Sequence, residues 1–145
     1  MKHWIFPIIA LTLSACGKEG RPAVLPDTLT ITAPSAEVPP EFAAFSGNWS
    51  GKWGDCLPAK LAVLSISATG AVRTYYAWGD CIKRRVEQNG DLHSGLIDGN
   101  VLRLDPFVDG SKLTFTLTAE GTLDGKIDAK RQSTTAVFKK DEPAK

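Results

Sequence analysis

An all-β fold is what this sequence predicts: an up-and-down antiparallel β-barrel of about eight strands, with a two-sheet β-sandwich as the alternative, behind a disordered N-terminal tether. Three observations carry the expectation. Between Phe42 and Lys140, short runs rich in Val, Ile, Leu, Thr and aromatic residues recur, the composition of strands that bury one face. Gly follows a turn-compatible residue at Thr69-Gly70, Asn89-Gly90, Asp98-Gly99, Asp109-Gly110, Glu120-Gly121 and Asp124-Gly125, and such pairs supply the positive φ that tight hairpins need. No window of this stretch holds a helical period. Consecutive hairpins make a meander, and a meander this long exposes its edges unless it closes or splits into two sheets.

From the N-terminus, one basic residue, Lys2, leads an apolar run from Trp4 to Leu13. Ten residues are about half of what a spanning helix requires, so 1–15 reads as a secretory signal peptide. It ends in Leu13-Ser14-Ala15-Cys16, which resembles the lipobox of bacterial lipoproteins. The resemblance implies cleavage before Cys16, a diacylglycerol on its sulfur and an acyl chain on its new amine. Several acyl chains anchor stably where one does not. Gly17, where inner-membrane lipoproteins commonly carry Asp, implies the outer membrane.

Residues 16–41 read as the lipidated cysteine and a linker. Pro22, Pro26, Pro34, Pro39 and Pro40 fall in it and no aromatic does, so little apolar surface is available to offset the entropy of ordering. Extended as polyproline, Gly17–Glu41 would reach roughly 75 Å; as a coil, about 30 Å. Thr28-Leu29-Thr30-Ile31-Thr32 alternates and could add a stray strand.

The barrel domain is expected over 42–140, with strands near 46–53, 60–67, 71–78, 82–88, 92–97, 100–105, 111–118, 122–129 and 132–139, and a disordered tail over 141–145. The run Lys112 to Thr118 alternates, placing Leu113, Phe115 and Leu117 on the buried face and the threonines outside. Cys56 and Cys81 follow the first and third strands, whose ends share a rim in a meander. An even pair outside the cytoplasm is most simply a disulfide, and closing a loop of roughly 25 residues stabilises by about 3 kcal/mol.

The chain carries 17 Lys and Arg against 16 Asp and Glu, and loss of Lys2 with the leader would balance them. No net field attracts nucleic acid. The one dense basic run, Lys83-Arg84-Arg85, fits a solvated strand edge, with a phosphate or lipid-headgroup patch as the functional alternative.

The domain opens with Phe45-Ser46-Gly47-Asn48-Trp49-Ser50-Gly51-Lys52-Trp53. Trp49, Gly51 and Trp53 share one strand face, and the glycines leave room for rings. The Gly-x-Trp is similar to the opening of calycin barrels, the lipocalin and avidin group, which implies a tryptophan packed across the barrel base. Together with Leu57 to Val63, Tyr76-Ala77-Trp78-Gly79 and Gly121 to Lys126, the segment also resembles a small, largely uncharacterised bacterial β domain sometimes found beside α/β-hydrolase-like domains. The Cys56 and Cys81 pair lies outside that domain's pattern.

Trp49, Trp53, Tyr75, Tyr76 and Trp78 are the candidate binding residues, because aromatic rings stack on sugars and apolar ligands at low entropic cost. Most are equally explained as core, and Tyr75 and Tyr76 must face opposite ways. Trp53 and Trp78, next to the expected disulfide, are favoured. His93 is the one histidine after the leader and fits a surface position; no Gly-x-Ser-x-Gly elbow accompanies it. No cofactor or metal is implied, since no His or Cys cluster offers convergent ligands. The expected function is a non-enzymatic, membrane-anchored envelope lipoprotein that binds a protein, a glycan or a small apolar ligand. A lysozyme or protease inhibitor and a small envelope hydrolase are the alternatives.

Overall fold

The computed structural model describes residues 20–143. Eight antiparallel strands close in chain order into one barrel: β1 Gly47–Trp53, β2 Leu57–Ile66, β3 Ala71–Trp78, β4 Asn89–Asp98, β5 Val101–Leu104, β6 Lys112–Leu117, β7 Leu123–Ala129 and β8 Gln132–Lys140. Closure is through β1 and β8, where Trp49 faces Lys140 and Gly51 faces Phe138. It removes the free edges a meander would present. A four-residue helix, α1 Pro40–Ala43, precedes β1 and begins at a proline, a residue that suits the first turn because its missing N–H needs no partner there.

The interior is filled. Phe45, Trp49, Trp53, Leu61, Leu102, Phe115, Leu123 and Phe138 are fully buried. The rings of Trp53 and Phe138 meet edge-on at 5.3 Å, and those of Phe115 and Phe138 at 5.2 Å, the arrangement aromatic quadrupoles favour. Glycines inside strands make this possible: a Cβ at Gly51 would lie 2.7 Å from the Phe138 ring, and one at Gly125 2.8 Å from Trp53. Asp124-Gly125 and Asn89-Gly90, expected as turns, are therefore strand positions, the latter because the Tyr75 ring lies over Gly90. The remaining four pairs do turn, with φ of 90° at Gly70, 59° at Gly99, 83° at Gly110 and 81° at Gly121.

The strand expected over 82–88 is absent. Ile82–Arg84 forms a 3₁₀ turn ended by Arg85 at φ 54°, and only Cys81 and Val86 form a bridge. Local bonds win over a ladder here: Asp80 accepts from the Gln88 amide at 2.6 Å, and Cys81 is joined to Cys56 with Cα atoms 5.4 Å apart.

From Gly20 onward the expected linker is not free. Arg21 donates through its amide and guanidinium to Asp80 at 2.8–3.1 Å, while the Asp80 amide donates to the Arg21 carbonyl at 2.8 Å. Further along, the Thr32 amide donates to the Leu64 carbonyl at 2.8 Å, the sole backbone bond of the alternating 28–32 run to a strand. The run 28–32 forms no strand; the segment is an extended strap, and Ala23 and Val38 bury on the barrel. Between its fixed points the strap crosses β2 and β3, where Ala62 and Ala77 face outward yet are 1% and 0% exposed. The tail is likewise partly fixed: Asp141 donates its amide to Asn48 and accepts from Ser50 and Lys60.

Candidate functional site: an aromatic cup at the open rim

The two ends of the barrel differ. At one, the turns β2–β3, β4–β5 and β6–β7 surround α1, and Phe42, Phe45 and Val38 join the core cluster. Trp49 plugs this end: its indole Nε1 donates to the Phe45 carbonyl at 2.9 Å, and Lys140 Nζ stands 5.1 Å from its ring centre. At the other end, the loops β1–β2, β3–β4, β5–β6 and β7–β8 leave a cup of about 250 Å³. Its wall is Leu57, Trp78, Val86, Phe107, Leu113 and Ile127; Tyr76 forms the floor, and Asp109 and Ser111 supply the polar edge.

Ring geometry sets the shape. Tyr76 lies 5.8 Å from Trp78 and 5.8 Å from Phe107, nearly perpendicular to the latter. Trp78 is held by its Nε1 donating to the Glu87 carbonyl at 3.0 Å, and Phe107 stacks on His93 at 4.1 Å. Below the floor, Trp53 Nε1 donates to the Tyr76 hydroxyl at 2.7 Å. Burial pushes the Tyr76 phenol well above its ordinary pKa, with the Trp53 bond opposing the shift. The floor is thus neutral at any physiological pH. Asp109 is held below the usual carboxylate range by the Ser111 amide and hydroxyl. Its turn chemistry explains it without a ligand.

The structure separates the candidate binding residues. Trp78 and Tyr76 line the cup. Trp53 lies beneath it and Trp49 at the opposite end, both buried. Tyr75 is on the outer wall over Gly90. Cys56 and Cys81 staple two of the rim loops; Cys16 lies outside the described residues. His93, expected at the surface, is half-buried against Phe107. Phe107 itself was not among the expected residues; its signal was an aromatic in the loop Asp105-Pro106-Phe107, where strand periodicity gives no reason for one. Among the described residues no group of three or more His, Cys, Asp or Glu side chains converges as a metal site would require.

A broader depression of about 630 Å³ overlies β6, β7 and β8, lined by outward-facing Thr114, Thr116, Lys126 and Thr135. It is larger, but threonines, Asp124, Lys126 and Val137 on the outer face of the sheet line it and no aromatic ring walls it, so the cup is the better site. The chain matches no family model and no curated protein.

Proposed function

We propose that this chain is a lipid-anchored bacterial envelope protein, acylated on Cys16 and directed to the outer membrane, whose barrel binds one apolar group in the cup at its open rim. The observation that carries the binding half is a filled interior topped by an aromatic-walled cup. A hollow barrel would carry a ligand inside, as eight-stranded barrels can; here Trp53, Phe115 and Phe138 occupy that space. At about 250 Å³ the cup is below the usual range for drug-sized ligands, so it suits a single ring or the end of a short chain, free or carried by a partner. The polar edge at Asp109 and Ser111 would fix orientation. The leader ending in Leu13-Ser14-Ala15-Cys16 supports the address, and the Cys56–Cys81 pairing is compatible with an oxidising compartment. The non-enzymatic character of the reading rests on the site's composition, because aliphatic and aromatic side chains wall the cup and its polar edge, Asp109 and Ser111, is engaged in its own turn.

The binding half is tested by titrating an apolar naphthylamine dye into the protein. Saturable binding that weakens at least tenfold in Trp78→Ala and in Phe107→Ala, and not in Leu96→Ser on the outer wall, is expected. Equal affinity in all three would remove the cup as the site. Mass spectrometry of protein from its host tests the address, through an amino terminus at Cys16 bearing acyl chains.

A further inference from the structure

We propose that the strap turns the open rim toward the membrane in which Cys16 is anchored, so that the cup receives the apolar end of a bilayer-borne amphiphile. This rests on the lipid-anchor reading and adds an orientation and a ligand class to it. Arg21 is five residues on from Cys16, which caps the separation at about 18 Å of fully extended chain. A free linker would let the barrel tumble far from the bilayer. Instead the first described contact of the strap is Asp80, two residues beyond Trp78 of the cup. The strap then runs to the closed end, where α1 begins. The closed end lies farther from Arg21 by the length of a strand wall, ten residues in β2, or about 33 Å before tilt, which exceeds the reach of the five residues that separate Arg21 from Cys16.

The rim that this brings closest has the surface of an interfacial element. Ile82 is 65% exposed at the tip of the β3–β4 loop, and Val108 is fully exposed at the tip of the β5–β6 loop; the two flank the cup. Around them stand the exposed cations Arg84, Arg85, Lys130 and Arg131, none in an ion pair among the described residues. Lys83 pairs with Asp55 at 2.7 Å and Arg21 with Asp80, while Glu87, Asp105 and Asp109 stand on the same rim outside any ion pair among the described residues, so the rim carries both signs and its cations gather at Arg84-Arg85 and Lys130-Arg131. Apolar tips with an arginine pair beside one of them suit the headgroup boundary of a bilayer, the arginines and not a net rim charge meeting anionic headgroups.

The test couples the Cys16 thiol of the chain beginning at that residue to a maleimide phospholipid in vesicles containing phosphatidylglycerol. The geometry is then read whether or not the host acylates the protein. Hydrogen exchange at 82–85 and 107–110 should slow several-fold against the uncoupled chain, while 98–100 and 118–122 exchange as in solution. Arg84→Glu with Arg85→Glu, or high salt, should reverse part of this. With nitroxide-labelled lipid acyl chains, tryptophan emission should be quenched, and Trp78→Phe should lose the quenched component. Protection at neither rim, or at the far rim, overturns the orientation. Protection at the open rim without quenching overturns the ligand class. Failure of acylation in the host, read by mass, overturns the anchor alone.

Discussion

At the closed end of the barrel, Phe42, Phe45 and Trp49 fold inward over a core that leaves no room; at the open end, Trp78 and Phe107 form walls around a gap. The residue types are the same, and the difference lies in the connections between strands. Turns at the closed end are two to five residues long, held by glycines at positive φ, and α1 supplies a lid. Loops at the open end include 79–88 and 105–111, long enough to splay, and a disulfide and the Asp80 hub hold them apart. Aromatic content thus says little about whether a ring binds or packs; loop length around it decides. The sharpest way to break this contrast is to truncate one ring at each end of the stack. Phe138→Ala removes a ring packed against Trp53 and Phe115, at a cost of about 3–5 kcal/mol, a large share of the roughly 5–15 kcal/mol that holds a domain folded. Phe107→Ala at the cup should cost much less and weaken ligand binding instead. Thermal melts of both variants decide it; equal losses would make the cup wall structural.

Next in size is the staple of the open rim. Cys56→Ser with Cys81→Ser frees a loop with a sequence separation of 25, worth about 3 kcal/mol in the chain-entropy picture. The loss should appear as a lower urea midpoint with a somewhat steeper slope, because the uncrosslinked denatured chain is more expanded. Exchange should rise most at 54–56 and 79–88, sparing the closed end. A uniform rise would mean that the crosslink supports the barrel and not the rim.

A smaller effect probes the floor between the two ends. Trp53→Phe keeps most of the ring but withdraws the donor from the Tyr76 hydroxyl, a bond of 2.7 Å in a buried place. Leaving a buried polar group without its partner costs about 1–3 kcal/mol. The dye should still bind, because Tyr76 and Trp78 keep the cup. Loss of binding with little loss of stability would instead place Trp53 in the site.

The barrel was legible because its signal is repeated. Alternation at Leu113, Phe115 and Leu117 and glycine turns at 70, 99, 110 and 121 all specify one register. The cysteine pair was legible from meander topology. What misled was each signal that stood alone. Asn89-Gly90 and Asp124-Gly125 carry a hairpin's dipeptide, yet those glycines serve neighbouring rings of Tyr75 and Trp53, a tertiary demand no local pattern reveals. Ile82 to Gln88 looks like a strand, but a carboxylate and a disulfide outcompete the ladder. The linker's prolines and lack of aromatics argue against a packed core; they do not rule out docking. The small outward residues Ala62 and Ala77 were the clue, set in walls where larger polar residues usually stand. Of the five aromatics, only the position along each strand separates Trp78 from Trp49, and that depends on which end closes.

The strap gives the smallest stability effect and the finest test of how the two ends are linked. Asp80 accepts four hydrogen bonds, three from Arg21 and one from the Gln88 amide, and these, the Arg21 side-chain bond foremost, hold its carboxyl well below the ordinary carboxylate range. A carboxyl whose folded pKa is depressed contributes stability above its unfolded pKa, about 3.9 for Asp, and loses it as pH falls through the folded value. Exchange protection at 20–32 should therefore persist from neutral pH to about 4 and fade only in stronger acid. Asp80→Asn removes the charge at every pH, so it should expose 20–32 already at neutral pH while the barrel's melting temperature moves little. Because Asp55, Asp109 and Asp128 are also held low, the acid series is read as the difference between wild type and Asp80→Asn. A strap that stays protected in Asp80→Asn would show that Ala23 and Val38, and not the charged clamp, fix its course, and the rim nearest Cys16 would then owe its position to packing.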